Sequence, residues 1–274
     1  MNTKALYAVM LALLLPLVAY FIVKKYSETA VIMPRHYIYD SVINNVRNGK
    51  QYSDTIWHQV ADFSLTNQLG QKVSFADLKK KDTMGKIVIA DFFFTHCPTI
   101  CVPMARNMSR LQRSITNAQK IGDQSPSFVQ FMSFSIDPER DSVPQLKKWA
   151  NRFQIDPEQW WLLTGDKKTI YDLSLNEIKL GLNDGNGDDT SFFHSDKFVL
   201  LDRDRNIRGY YDGLDSASLA KLSNDIILLS LEKNPKEKSF FAGKLQLIAV
   251  VFLIVILGLG LFFYLFRKKS PPTP

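Results

Sequence analysis

The chain has 274 residues, 46% hydrophobic and 22% charged, with a formal net charge of +7. That length suits one α/β domain with linkers. Its Lys and Arg are spread along the chain or flank apolar runs, and no basic stripe interleaved with aromatics marks a nucleic-acid partner.

In chain order, Leu6 to Val23 is an uncharged apolar run of about 18 residues, long enough to cross a bilayer. Lys24-Lys25 follow it directly, where a cleaved signal peptide would carry small residues, so a retained anchor is expected over 1–26. Residues 27–57 read as a polar tether with local structure, 58–231 as the folded domain and 232–244 (EKNPKEKSFFAGK) as a second tether. Residues 245–274 hold a second apolar span, Leu245 to Phe266, and a basic tail, Arg267-Lys268-Lys269. The positive-inside rule puts that tail in the cytoplasm and, with two spans, the central domain on the extracytoplasmic or periplasmic side of an inner membrane of bacterial type. Lys24-Lys25 argue the other way.

Within the domain, Asp62 to Leu65 and Lys72 to Phe75 read as a hairpin turning at Gly70. Ile87 to Phe94 (IVIADFFF) is nearly unbroken apolar, as for a strand covered on both faces. Cys101 to Gln119 has helical spacing, with Met104, Met108, Leu111 and Ile115 on one side. Phe128 to Ile136 alternates and reads as the next strand. Asp141-Ser142 ahead of Pro144 marks the start of a helix that runs to about Phe153, with Asp141 as its cap. Trp161 to Thr164 is a short strand, and Gly181 to Thr190 is a mobile polar loop that fails the EF-hand template. Lys197 to Asp202 and Ile207 to Tyr211 are strands joined at Asp204-Arg205-Asn206, and Ser216 to Leu231 closes the domain as a helix. Strand, cysteine loop, helix, strand, helix, then a terminal hairpin and helix describe a thioredoxin-like α/β domain, here flanked by N-terminal and C-terminal transmembrane helices.

Cys97 and Cys101, the only two cysteines, fall on the strand-to-helix turn of this order. Pro98 suits a first helical turn. Free amides and the helix dipole there are expected to lower a thiol pKa. Residues four apart on a helix lie within disulfide reach, so the pair can either oxidise or chelate a metal. A purely structural disulfide closing so short a loop would stabilise little. A dithiol enzyme usually has C-x-x-C, one residue shorter. It also has a proline before the facing strand, where this chain has His194-Ser195-Asp196. Two thiolates and the His194 imidazole make a soft three-ligand set suited to Cu(I) and able to hold Cu(II); zinc would want a fourth ligand. His96, beside Cys97, is the competing histidine. Asp137 is a candidate to orient His194 or meet a partner. Met104 and Met108 read as core.

These motifs together resemble a known family. TxCPxxC after DFFF, SIDPERD at Ser135 to Asp141, WWLLTGD at Trp160 to Asp166, and HSDKFVLLDRDRNIRGYYDG at His194 to Gly213 are similar to the Sco/SenC copper proteins. Those are membrane-anchored, thioredoxin-like factors for assembling cytochrome c oxidase. The resemblance covers roughly Thr55 to Leu229. It implies copper on Cys97, Cys101 and His194, and delivery to, or thiol reduction of, the CuA site in the oxidase subunit that carries it. Three departures stand out. Val102 replaces a frequent proline, His96 replaces a small residue, and a second span follows the usual single anchor. The expected function is a copper metallochaperone, not an enzyme. A thiol-disulfide reductase acting through a Cys97–Cys101 disulfide is the alternative from the enzyme class, and His96 and Asp137 are candidates for the shell around the site in either reading. A redox or copper sensor is the third reading.

Overall fold

The computed structural model describes residues 32–47, 49–79, 85–121, 128–180, 183–184, 192–193 and 195–232, with 14, 18, 20–22 and 25 ahead of them. Among these, no helix is long and apolar enough to cross a membrane. The expected spans lie outside the described residues, except for Leu14, Val18 and 20–22, which are helical and exposed.

The core is a seven-stranded sheet in the order β11-β10-β5-β6-β7-β3-β4. Its centre is β5 (Ile87–Phe93), paired in parallel with β6 (Val129–Ser135), which pairs in parallel with β7 (Trp160–Thr164). On one side β10 (Lys197–Leu201) runs antiparallel to β5 and to β11 (Ile207–Asp212). On the other, β3 (Leu65–Asn67) is antiparallel to β7 and to β4 (Lys72–Val73). The β3–β4 turn passes through Gly70 at φ 79°, a conformation that glycine adopts without steric cost. Phe75–Leu78, expected as strand at its start, is a short 3-10 turn instead.

Every residue of β5 and of β6 is buried. For β5 that follows from its apolar run. For β6 the expected alternation of buried and exposed positions does not hold. Gln130, Ser133 and Ser135 are as buried as their apolar neighbours, because each hydroxyl or amide oxygen finds a partner inside. Gln130 accepts from Lys86 Nζ at 2.8 Å. Ser133 donates to Asp91 and accepts from Trp160 Nε1 at 2.8 Å. Ser135 donates to Asp141 at 2.6 Å.

Helix α1 (Cys101–Ile121) follows β5, and α2 (Val143–Phe153) follows β6. They lie side by side, tied by Ser109 Oγ donating to the Phe153 carbonyl at 3.0 Å. Met104, Met108, Leu111 and Ile115 face the core as their spacing requires. α3 (Lys167–Asp172) is capped by Asp166, which accepts from the Thr169 amide at 2.8 Å. α4 (Ser216–Leu231) has the bounds expected from its sequence. Ahead of the sheet, β1 (Tyr39–Arg47) and β2 (Lys50–Trp57) form an antiparallel hairpin. β8 (Asn183–Asp184), in the polar loop, pairs with β9 (Phe192–Phe193), just past it; the residues between them lie outside the described set.

Candidate metal centre

β5 and β6 are parallel, so the loops that leave their C-terminal ends open on one edge of the sheet. β10 is antiparallel to β5, so the residues entering it, Ser195-Asp196, come to that same edge. The cysteine loop, the Asp137–Asp141 segment and the approach to β10 are therefore brought together by topology alone.

Cys97 and Cys101 are both buried, 6% and 2% exposed, and no disulfide joins them. Cys97 lies in the loop, and α1 begins at Cys101, with the Ile100 carbonyl accepting the Met104 amide at 3.0 Å. Pro98 thus sits in the bend before the helix and not in its first turn. The Cys101 amide, one of the free donors of a helix start, points at Cys97 Sγ at 3.4 Å.

The expected lowering of the thiol pKa does not hold for Cys101. Its hydrogen bond with the Cys97 sulfur, and then burial, hold the thiol far above the usual range, while a hydrogen bond with the Phe94 main chain pulls weakly the other way. The Cys101 amide faces the other sulfur, Cys97 Sγ, while the Cys101 thiol itself is buried and bonded to that same sulfur.

Asp141 is not a helix cap. Ser142 holds the cap position of α2, without a side-chain bond. The Asp141 carboxylate is fully buried and turned inward. It accepts the Thr95 amide at 3.1 Å, the Thr95 hydroxyl at 2.5 Å and the Ser135 hydroxyl at 2.6 Å. One side chain thus binds the second residue after β5 to the end of β6, fixing the loop two residues before Cys97. Beneath it, Asp91 stands buried in β5 and accepts from Ser133. Sequence reasoning missed both roles. The signal for Asp91 was a lone charge inside an otherwise apolar strand.

His96 is half exposed (52%), with Nδ1 at 3.1 Å from Thr95 Oγ1 and 3.9 Å from Asp141 Oδ1. It is placed on the Asp141 side of the loop. His194 lies outside the described residues. Its neighbours fix the local frame: the Asp196 carbonyl accepts the Gly213 amide at 2.7 Å, and Asn107 Nδ2 of α1 donates to the Gly213 carbonyl at 2.8 Å. A side chain at Gly213 would meet Met104 Cε, Phe198 Cζ and the Asp196 carbonyl, all at 3.1 Å. The first turns of α1 and the entry to β10 are therefore packed against one another. Among the described residues no cluster of three metal-ligating side chains is present.

Asp137 is buried, 3.3 Å from Arg140 Nε. Burial, stronger than the opposing pull of Arg140, raises its pKa above the ordinary carboxylate value. The ionised form is thus less favourable here than in the unfolded chain, so its contribution to stability is full at acid pH and lost as pH rises through the folded pKa. Asp137→Asn removes that loss. The thermal midpoint of the variant relative to the parent is expected to rise between pH 4 and pH 7; a difference that stays flat or falls would show that the Arg140 pairing outweighs burial.

The SCO1/SenC family model matches residues 54–226. The SCO1 protein homolog of Bacillus subtilis (strain 168) is 32% identical over 179 residues, 65% of this chain and 86% of its own. Two solved structures each share 30% identity and a TM-score of 0.54. A SCO1/SenC family lipoprotein from Bacillus anthracis str. Ames covers 64% of this chain and 95% of its own. BsSco, a member of the Sco family of cytochrome c oxidase assembly proteins in which a disulfide switch was identified, covers 65% and 98%.

Proposed function

Because the chain belongs to the SCO1/SenC family, we propose that it is a membrane-anchored copper metallochaperone supporting assembly of the CuA site of cytochrome c oxidase, with Cys97, Cys101 and His194 as the ligands. The observation that carries this reading is the pair of buried thiols with no disulfide between them, joined through the Cys101 amide and the Cys97 sulfur at 3.4 Å. Two thiolates and an imidazole are a soft set matched to Cu(I), and the imidazole also suits Cu(II). Copper is the cargo. It displaces the thiol protons on loading and leaves by ligand exchange to thiols of the acceptor, the oxidase subunit that carries CuA. His194 is the ligand that joins and leaves, since it arrives on a separate segment. His96 and Asp137 tune the site without binding the metal. The two apolar segments hold the domain on the extracytoplasmic side, where such an acceptor is reached.

The same thiol pair favours one second reading. Loss of two electrons and two protons makes a Cys97–Cys101 disulfide, and a disulfide switch has been identified in BsSco. The chain would then keep an acceptor's cysteines reduced.

Titration of the reduced full chain in detergent with Cu(I) against a competing chelator separates the two. One equivalent is expected, weakened at least about tenfold in His194→Ala, with Cu(II) binding weakened further. Substoichiometric copper, or affinities untouched by the substitution, would overturn the three-ligand site. Fast reduction of a generic disulfide that survives His194→Ala would favour the reductase.

A further inference from the structure

We propose that a cavity between α1 and α2 is a binding site for a phosphate-class anion, carried by a free compound or by a lipid headgroup. Arg106, Arg110 and Arg113 of α1 and Arg152 of α2 line a cavity of about 310 Å³, with Ser109 and Gln154 at its wall. On α1 the three arginines stand at i, i+4 and i+7, one face of the helix. Like charges at that spacing disfavour a helix, and neither α1 nor α2 contains an Asp or Glu to offset them.

The bland explanation would be that the arginines satisfy the carbonyls at the C-terminal end of α2. They do not. Gln154, left-handed at φ 54°, closes that end through its own amide, bonded to the Ala150 and Asn151 carbonyls, and the Phe153 carbonyl takes Ser109 Oγ at 3.0 Å. Among the described residues, Arg106, Arg110 and Arg113 make no hydrogen bond or ion pair with a protein group. Arg152 makes only ring contacts, 5.9 Å from Trp149 and 5.3 Å from Phe153. The carboxylate of Asp156, just past the cavity, is bonded to the Glu158 amide at 3.0 Å. Four exposed arginines, none of whose donors meets a protein acceptor among the described residues, line one concavity.

Each guanidinium is a planar fork that fits phosphate oxygens in pairs. A phosphate monoester brings three acceptor oxygens and close to two negative charges in one compact group, whereas a carboxylate brings two oxygens and one charge. The cavity lies at the low end of small-molecule pocket sizes, about 300–1,000 Å³. That suits one phosphate or diphosphate group better than an extended acidic peptide.

The test is calorimetric titration of the full chain in detergent at constant ionic strength with inorganic pyrophosphate, dihexanoylphosphatidic acid and pentaglutamate. Saturable one-to-one binding of pyrophosphate or the lipid is expected, the tighter of the two naming the source. Arg110→Gln and Arg113→Gln should each weaken it at least about tenfold, with a thermal midpoint equal to or slightly above the parent's and unchanged copper stoichiometry. Arg110→Lys should recover only part of the loss, and Lys168→Gln, exposed and outside the cavity, should have no effect. Absence of saturable binding, equal loss in Lys168→Gln, or tighter binding of pentaglutamate would each overturn the proposal. Because copper titration is read on the same samples, failure here is separable from failure of the copper reading.

Discussion

Asp141→Ala is expected to lower the unfolding free energy by about 3–5 kcal/mol. The carboxylate is fully buried and accepts from the Thr95 amide, the Thr95 hydroxyl and the Ser135 hydroxyl. A hydrogen bond to a charged acceptor contributes about 1.5–3 kcal/mol, and a donor left unsatisfied inside adds its own desolvation penalty. These terms share one acceptor, so they do not simply add, and the lower total is the better expectation. Asp141→Asn keeps the shape and one carbonyl oxygen, but turns an NH₂ toward donors; a smaller loss, about 1–3 kcal/mol, is expected. Denaturant unfolding followed by near-ultraviolet circular dichroism measures both. A loss below about 1 kcal/mol for the alanine variant would show that water or a neighbour replaces the clamp. Copper affinity should fall alongside, because Thr95 is two residues from Cys97.

Cys97→Ala and Cys101→Ala each remove one of two thiolates from the proposed site. Cu(I) affinity is expected to fall by about three orders of magnitude in either, equivalent to about 4 kcal/mol. The fold should survive. Each cysteine is a small buried side chain, and its truncation to alanine is expected to cost about 1 kcal/mol. Chelator competition with the reduced full chain reads the affinity, and thermal unfolding on the same samples reads the fold. Copper should raise the thermal midpoint of the parent and not of either variant, since a ligand stabilises only the state it binds. One-equivalent binding within tenfold of the parent in either variant would remove that cysteine from the site.

The sheet centre and the helices were legible because their residues announce themselves locally. Ile87 to Phe93 is apolar on both faces, and Met104, Met108, Leu111 and Ile115 recur at helical spacing. The site's frame was less legible because its partners are distant in sequence. Asp-Ser-Val-Pro reads as a helix cap to any local rule, yet Asp141 serves Thr95, which lies 46 positions away. Likewise Ser133 and Ser135 suggested a solvated face for β6, while their hydroxyls pair with Asp91 and Asp141 inside. The helix dipole was a sound reason to expect an acidic thiol. For Cys101, its hydrogen bond with the Cys97 sulfur and then its burial, neither of which a local sequence rule carries, decided otherwise.

The antiparallel entry of β10 also sets an order of assembly. The thiol pair is complete within a five-residue segment. The residue proposed to join it arrives only when β10 docks on β5, with Val199 opposite Ala90. Contacts between such distant parts of a chain carry the largest closure entropy and form late. On the proposed ligand set, a nascent or partly folded chain is therefore expected to have the two-sulfur half of the site before the whole, and to meet a soft metal that it cannot yet hold in its final geometry. Full loading then becomes a sign that the sheet has closed.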